Sequence, residues 1–151
     1  MNPDYTKTML FSQAQNAFRQ KYHVVKHTIA AAICVKKNNF NTEYYYSAIN
    51  LRGANYSTCA ERICCGYIMS QLSLGSYIDS ILTLYRTVDD KYKIILPCGN
   101  CRQFLIDYLP DIKIFGEDKV FTINELMPYA YKSNFKPIES EIAKYKETDN
   151  H

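Results

Sequence analysis

The apolar positions of the chain fall into short blocks whose period changes along its length. Between residues 4 and 21 they recur at helical spacing, with Leu10, Ala14, Ala17 and Phe18 on one stripe and Asp4 placed to cap the start. Thr28 to Val35 is a nearly unbroken apolar run, which predicts a buried strand. Lys36 to Asn39 reads as a turn, and the Tyr-rich stretch Thr42 to Asn50 as a returning strand, so the two predict a hairpin. Leu51 to Thr58 reads as a loop. Cys59 to Leu74 predicts a helix, with Ile63, Tyr67, Ile68 and Leu72 near helical spacing and Gly75 as its stop. Tyr77 to Tyr85 predicts a strand, Thr87 to Tyr92 a polar turn, and Ile94 to Leu96 leads into Pro97. Cys98 to Leu109 predicts another helix, ended by Pro110. Ile112 to Phe115 and Val120 to Ile123 read as short strands.

The connection between those last two strands decides their direction. Gly116 to Lys119 is four residues, enough for an antiparallel turn and far short of the dozen or so that a parallel crossover needs. The order α-β-β-α-β-α-β-β then predicts a three-layer α/β domain over residues 1–131. Residues 132–151 read as a polar tail, in which Ile138, Ile142 and Tyr145 can line a short helix.

Composition narrows the class. The chain has 151 residues, 47% hydrophobic and 22% charged, as expected of a single globular domain. A net charge of +3 is too small for a phosphate-tracking surface, so no nucleic-acid polymer is expected as partner. No apolar run approaches the roughly 18 residues of a membrane span. The residues after Met1 do not read as a secretory signal, and the expectation is a cytoplasmic protein. In that setting six cysteines, Cys34, Cys59, Cys64, Cys65, Cys98 and Cys101, argue for metal or catalysis over disulfides.

Three of them form a pattern. Cys59-Ala60-Glu61 opens one predicted helix, and 39 residues later Pro97-Cys98-Gly99-Asn100-Cys101 opens another. A Cys-x-x-Cys pair at a helix start lets two sulfurs face one point, and helix N-terminal N–H groups favour their anionic form. A third thiolate from a neighbouring helix start completes three ligands. Zinc held by three protein ligands keeps a fourth position open for water, which is the catalytic arrangement. Glu61, in the first turn, can reach that water without being a ligand. The competing reading is a closed structural site with Cys64 or Cys65 as fourth ligand. Cys64 lies five residues along the helix from Cys59, about 140° around at roughly 100° per residue, and so off the face of the site.

Cys59-Ala60-Glu61-Arg62, Pro97 to Gln103, and Leu126-Met127-Pro128-Tyr129-Ala130-Tyr131 together resemble the zinc-dependent cytidine deaminase family, a superfamily that includes the blasticidin-S deaminases. The resemblance spans roughly Tyr22 to Tyr131. It implies a three-layer α-β-α fold with a five-stranded mixed sheet and an antiparallel last pair. It also implies one Zn²⁺ per subunit on Cys59, Cys98 and Cys101, with Glu61 as proton shuttle. The Ala60 N–H and the Leu96 carbonyl would hold the base edge, and Asn50 would contact a sugar hydroxyl. Arg62 would hydrogen-bond the thiolates. Zn²⁺ with three thiolates carries a net negative charge, which a guanidinium and two helix N-termini offset. Arg102 is the weaker candidate for that role. A homotetramer, or a homodimer, is implied as well.

The departures concern the substrate. A Glu that binds ribose in cytidine deaminases is here Arg52, and the nine residues from Asn50 to Cys59 make a shorter loop, closer to the blasticidin-S type. By register, His27 stands where a Phe packs on the nucleoside, and Tyr131 replaces the terminal Phe of the last motif. Arg prefers carboxylate or phosphate over a neutral diol, so Arg52 points to a substrate with an anionic group or an altered sugar. As structural alternatives, His27 is a packing residue, Arg52 a solvated loop charge, Tyr131 an interface residue, and Cys34, Cys64 and Cys65 core thiols. The resulting expectation is hydrolytic deamination of cytidine or deoxycytidine, in pyrimidine salvage. The alternatives are deamination of an aminonucleoside antibiotic of the blasticidin-S kind, and a catalytically silent binding or assembly protein.

Overall fold

The computed structural model describes residues 2–21, 23, 26–38 and 40–132; the sequence-predicted tail helix lies outside them. Helix α1 spans Pro3–Lys21. Pro suits a first helical position because its missing N–H would have had no intrahelical partner. Strands β1 (Ile29–Lys37) and β2 (Phe40–Ile49) form the expected antiparallel hairpin, with Ala31 opposite Ala48 and Cys34 opposite Tyr45.

The predicted loop at 51–58 contains a small ribbon of its own. Strand β3 (Leu51–Arg52) pairs antiparallel with β4 (Ser57–Thr58). Helix α2 covers Ala60–Met69 and stops well short of the predicted Leu74. Ser70 Oγ donates to the Tyr67 carbonyl at 2.7 Å at its end. Beyond it Leu72 and Leu74 are exposed, so continuing the helix would bury nothing. Gly75, at φ 78°, turns the chain into β5 (Ser76–Arg86), a backbone angle that side chains disfavour.

Strand β6 (Tyr92–Ile95) was not among the expected elements. Helix α3 (Gly99–Tyr108), β7 (Lys113–Phe115) and β8 (Val120–Thr122) follow as predicted, the last two antiparallel. One turn, α4 (Ile123–Leu126), begins with a capping box: Thr122 Oγ1 accepts the Glu125 N–H while the Glu125 carboxylate accepts the Thr122 N–H.

The sheet order is β2-β1-β5-β7-β8, the five-stranded mixed arrangement expected, with β6 as a sixth strand on β5. Strand β5 runs parallel to β7 through Ser80–Leu82 and antiparallel to β6 from Thr83 to Arg86. Since β1 follows the opposite edge of β5 throughout, β6 and β7 share its second edge end to end, and the break falls between Leu82 and Thr83.

Period-two alternation on β1 fills two cores. Ala30, Ala32 and Cys34 face Leu10, Ala14 and Phe18 of α1. Ala31, Ile33 and Val35 face α2 and α3, among Cys64, Cys65, Ile68 and Leu105. Each fully buried Leu, Ile or Phe contributes roughly 1.5–3 kcal/mol. The register of β1 against β5 shifts between Cys34 and Val35, opposite Ser80 and Ile78, leaving Asp79 as the extra residue. The bulge lets Ile78 and Ile81, three apart, point into one core.

Candidate metal and substrate site

Two helix starts converge above the break in β5. Cys59 is the N-cap of α2 and Cys98 the N-cap of α3, both in extended backbone, and Cys101 lies in the first turn of α3. The three sulfurs lie within 4.8 Å of one another, and Cys59 Sγ is 3.8 Å from Cys98 Sγ. Zn–S bonds of about 2.3 Å at tetrahedral angles place two sulfurs about 3.8 Å apart. The Cys59–Cys98 pair has that spacing, and Cys101 completes a donor set that could hold a metal ion.

The electrostatics of the three thiols are coupled. Burial pushes the Cys98 thiol up, but the Asn100 and Cys101 N–H groups and the other two thiols outweigh it and hold Cys98 below the usual thiol range. These N–H contacts are looser than a regular cap hydrogen bond. Burial raises Cys59 and Cys101, the latter further through Glu61 and the neighbouring sulfurs. One thiolate thus suppresses the other two, and a dication at their centre lets all three ionise. Cys64 and Cys65 are outside this group. Both are buried in the apolar core, and burial pushes the Cys64 thiol up to about 12. The closed four-cysteine alternative thus has no fourth sulfur within the cluster.

Glu61 follows Cys59 by two residues and is 3% exposed. Burial raises its carboxyl above the ordinary range, countered in part by its own backbone N–H, the Thr83 hydroxyl and the Cys101 thiol. Its Oε2 has no hydrogen-bond partner among the described residues, an open acceptor in a dry place. Arg62 turns its guanidinium to the Cys59 and Cys101 sulfurs, which hold it charged against its partial burial. Arg102 is occupied elsewhere: its Nε donates to the Pro97 carbonyl at 2.8 Å and its Nη1 to the Leu126 carbonyl at 3.1 Å. It ties α3 to α4 and leaves the sulfurs to Arg62.

A cleft of 390 Å³ opens beside the cluster. Cys59, Cys98 and Glu61 line one part, Ile95 and Leu96 a wall, and Asn50, Arg52 and the β3–β4 ribbon the rest. Ala60 is fully buried at the start of α2. The Asn50 amide works mainly for the fold: its Oδ1 accepts the Ile29 N–H and its Nδ2 donates to the Lys26 carbonyl, both at 3.1 Å. Each group keeps one further lone pair or hydrogen for a ligand. His27 is not among the lining residues; its Nδ1 lies 2.8 Å from the Asn50 carbonyl oxygen, bracing the same strand end. Tyr131 is also outside the cleft within this chain. It is 74% exposed, and its carbonyl accepts from Gln103 Nε2 at 2.8 Å, which fastens the last motif to α3.

The sequence reading missed the residues that only folding brings here: Thr83 beneath Glu61, Thr28 at the entry to β1, and Ile95 on β6. Thr83 alone carried a trace, as a hydroxyl inside an otherwise apolar stretch of β5.

No protein-family model matches the chain. Blasticidin-S deaminase from Bacillus cereus is 32% identical over 124 residues, 75% of this chain and 83% of that protein. The chain belongs to the cytidine deaminase-like family. Solved cytidine deaminases share the fold. That of Burkholderia pseudomallei superposes with a TM-score of 0.63 at 22% identity, over 87% of this chain and 100% of its own. That of Mycobacterium tuberculosis gives 0.62 at 18%, over 84% and 98%.

Proposed function

We propose that this chain is a zinc-dependent hydrolase that deaminates a cytosine-type nucleoside, releasing ammonia and leaving the uracil-type product. The observation that carries this reading is the sulfur triangle of Cys59, Cys98 and Cys101 with the buried, half-unpartnered Glu61 beside it.

Cys59, Cys98 and Cys101 would hold the zinc, and Arg62 would offset their charge. When bound, zinc supplies a water acidic enough to serve as nucleophile near neutral pH. Glu61 accepts one proton from water at its carboxylate and hands it to the ring nitrogen N3, then takes the second proton of that water from the hydroxyl now on C4 and delivers it to the amino group, which leaves as ammonia. One water is consumed, the C4–N bond breaks and a C4–O bond forms. The raised affinity of Glu61 for protons suits a group that must hold one between these transfers. The Leu96 carbonyl, from the cleft wall, and the Ala60 N–H, between the lining residues Cys59 and Glu61, would supply an acceptor and a donor for the base edge. Thiol ligands persist in a reducing compartment, which fits the cytoplasm.

A second reading is favoured by the Bacillus relative: the substrate is an aminonucleoside antibiotic of the blasticidin-S kind. Deamination followed by ultraviolet absorbance, on cytidine, deoxycytidine and blasticidin S in parallel, separates the two. Turnover of the plain nucleosides supports salvage, and turnover of the antibiotic alone supports detoxification. Absence of turnover on any cytosine, adenine or guanine nucleoside, with zinc bound, favours a silent binding protein and overturns the enzyme reading.

We also propose self-association, as a homotetramer or homodimer. Tyr67, Met69, Leu72 and Leu74 stay exposed on and just beyond α2, an apolar patch of the sort that interfaces cover. A monomeric mass by light scattering would remove this claim.

A further inference from the structure

Two buried polar atoms beside the cluster lack partners, and they sit on neighbouring elements. Glu61 Oε2, on α2, and Thr83 Oγ1, on β5, have no hydrogen-bond partner among the described residues. Glu61 is 3% exposed and Thr83 1%. A buried hydroxyl without a partner is costly, and Val would fill the same space in a strand without that cost. The hydroxyl at this position therefore needs a reason beyond packing.

Strand register fixes the side on which that hydroxyl stands. Thr83 lies opposite Ala31 of β1 on one edge and Ile95 of β6 on the other. Directly opposed residues share a face of the sheet. Ala31 packs in the core beneath α2, together with Ala60, the residue before Glu61. Ile95 lines the cleft. Thr83 is thus held on the α2 side between two apolar neighbours that offer its hydroxyl nothing, and the polar group it meets is the Glu61 carboxyl. Ser80, on the same strand, is the contrast. Its Oγ is also buried and without a partner among the described residues, but it lies opposite Cys34, on the α1 side of the sheet and away from the cleft.

Glu61 must keep one orientation while a proton comes and goes. A carboxylate only accepts hydrogen bonds, a carboxylic acid also donates one, and a hydroxyl can answer either by rotating about its C–O bond. We propose that Thr83 is a positioning residue for Glu61: its hydroxyl donates to one carboxylate oxygen and leaves the other directed at the cleft, where the proton is taken up and given away. Thr83 keeps its own proton throughout, and no covalent bond to it forms or breaks. This rests on the deaminase reading above and deepens it.

The test compares the zinc-loaded wild type with Thr83→Val, Thr83→Ser and Ser80→Ala on cytidine, deoxycytidine and blasticidin S. The readouts are single-turnover rate, kcat, KM, zinc content and Tm. Val keeps the shape of Thr and removes the hydroxyl, while Ser keeps the hydroxyl and removes the methyl group. Thr83→Val is expected to lower the single-turnover rate and kcat by about 10- to 100-fold, the worth of one hydrogen bond to a charged group, with KM little changed. Its zinc content stays at the wild-type level and its Tm does not fall. Thr83→Ser recovers most of the rate, and Ser80→Ala leaves it unchanged. An unchanged rate in Thr83→Val, an effect carried by KM, or a parallel loss of zinc or Tm overturns the proposal and leaves the deaminase reading standing. So does a rate in Thr83→Ser or Ser80→Ala as low as that of Thr83→Val. No turnover of any cytosine, adenine or guanine nucleoside by the zinc-loaded wild type overturns both.

Discussion

Cys59 Sγ and Cys98 Sγ stand 3.8 Å apart although 39 residues separate them in the chain. Each caps a helix that starts above the point where β5 changes partner from β7 to β6. Two positively polarised helix ends therefore meet at one place, and both favour the anionic form of the sulfurs there.

Removing one sulfur opens the triangle. Cys98→Ala is expected to lower zinc affinity by at least about 100-fold, the upper end of what loss of an outer-shell partner alone costs. Zinc content by mass spectrometry after dialysis against a chelator checks it; full zinc retention would refute the assignment of Cys98 as a ligand.

Glu61→Gln keeps the shape of the side chain and removes its proton acceptor. Zinc content is expected to stay at the wild-type level while kcat falls by about 10²–10⁴-fold, the usual worth of a positioned acid–base group. Parallel loss of zinc would instead mark Glu61 as a structural support of the cluster.

The two arginines separate by readout. Arg62→Ala leaves the Cys59 and Cys101 sulfurs without their cation and is expected to weaken zinc retention by about 10- to 100-fold. Arg102→Ala breaks two hydrogen bonds to the Pro97 and Leu126 carbonyls and is expected to cost about 1–3 kcal/mol of stability, read as a lower Tm. If zinc retention followed Arg102 instead, the partner assignment would be reversed.

Asp79 makes stability depend on acid. Burial opposes its charge, but the Lys113 ammonium at 2.9 Å and the Lys36 ammonium at 3.2 Å outweigh burial and hold the carboxyl below its usual value. A depressed folded-state pKa stabilises the fold above the unfolded value of about 3.9, and that contribution is lost as pH falls through the lower folded value. Asp79→Asn is expected to lower Tm at pH 7 and to flatten its decline below about pH 4. Parallel Tm curves for the two proteins across that range would contradict this.

Much of the site was legible because its chemistry is local. A Cys-x-x-Cys at a helix start, or a Glu two residues after a capping Cys, lies within one helical turn, so spacing alone sets which side chains face together. Alternating faces of β1 and the antiparallel β7–β8 turn were equally local. The end of α2 was not, because apolar spacing continues to Leu72 while nothing in the fold covers Leu72 or Leu74. Strand β6 was hidden because four residues show no period until β5 pairs with them.

The sequence by itself determined that Cys98 and Cys101 share one helix start, that Glu61 lies in the first turn after Cys59, and the order of most elements, since each follows from contacts a few residues apart. Tertiary structure decided the rest. It set the distance between Cys59 and Cys98 and gave the thiols to Arg62 while tying Arg102 to backbone carbonyls. It also spent the Asn50 amide on strand β1 and set Arg52 at the edge of the cleft. These relationships join segments tens of residues apart or choose among competing partners, and they exist only once the sheet has set its strand order and register.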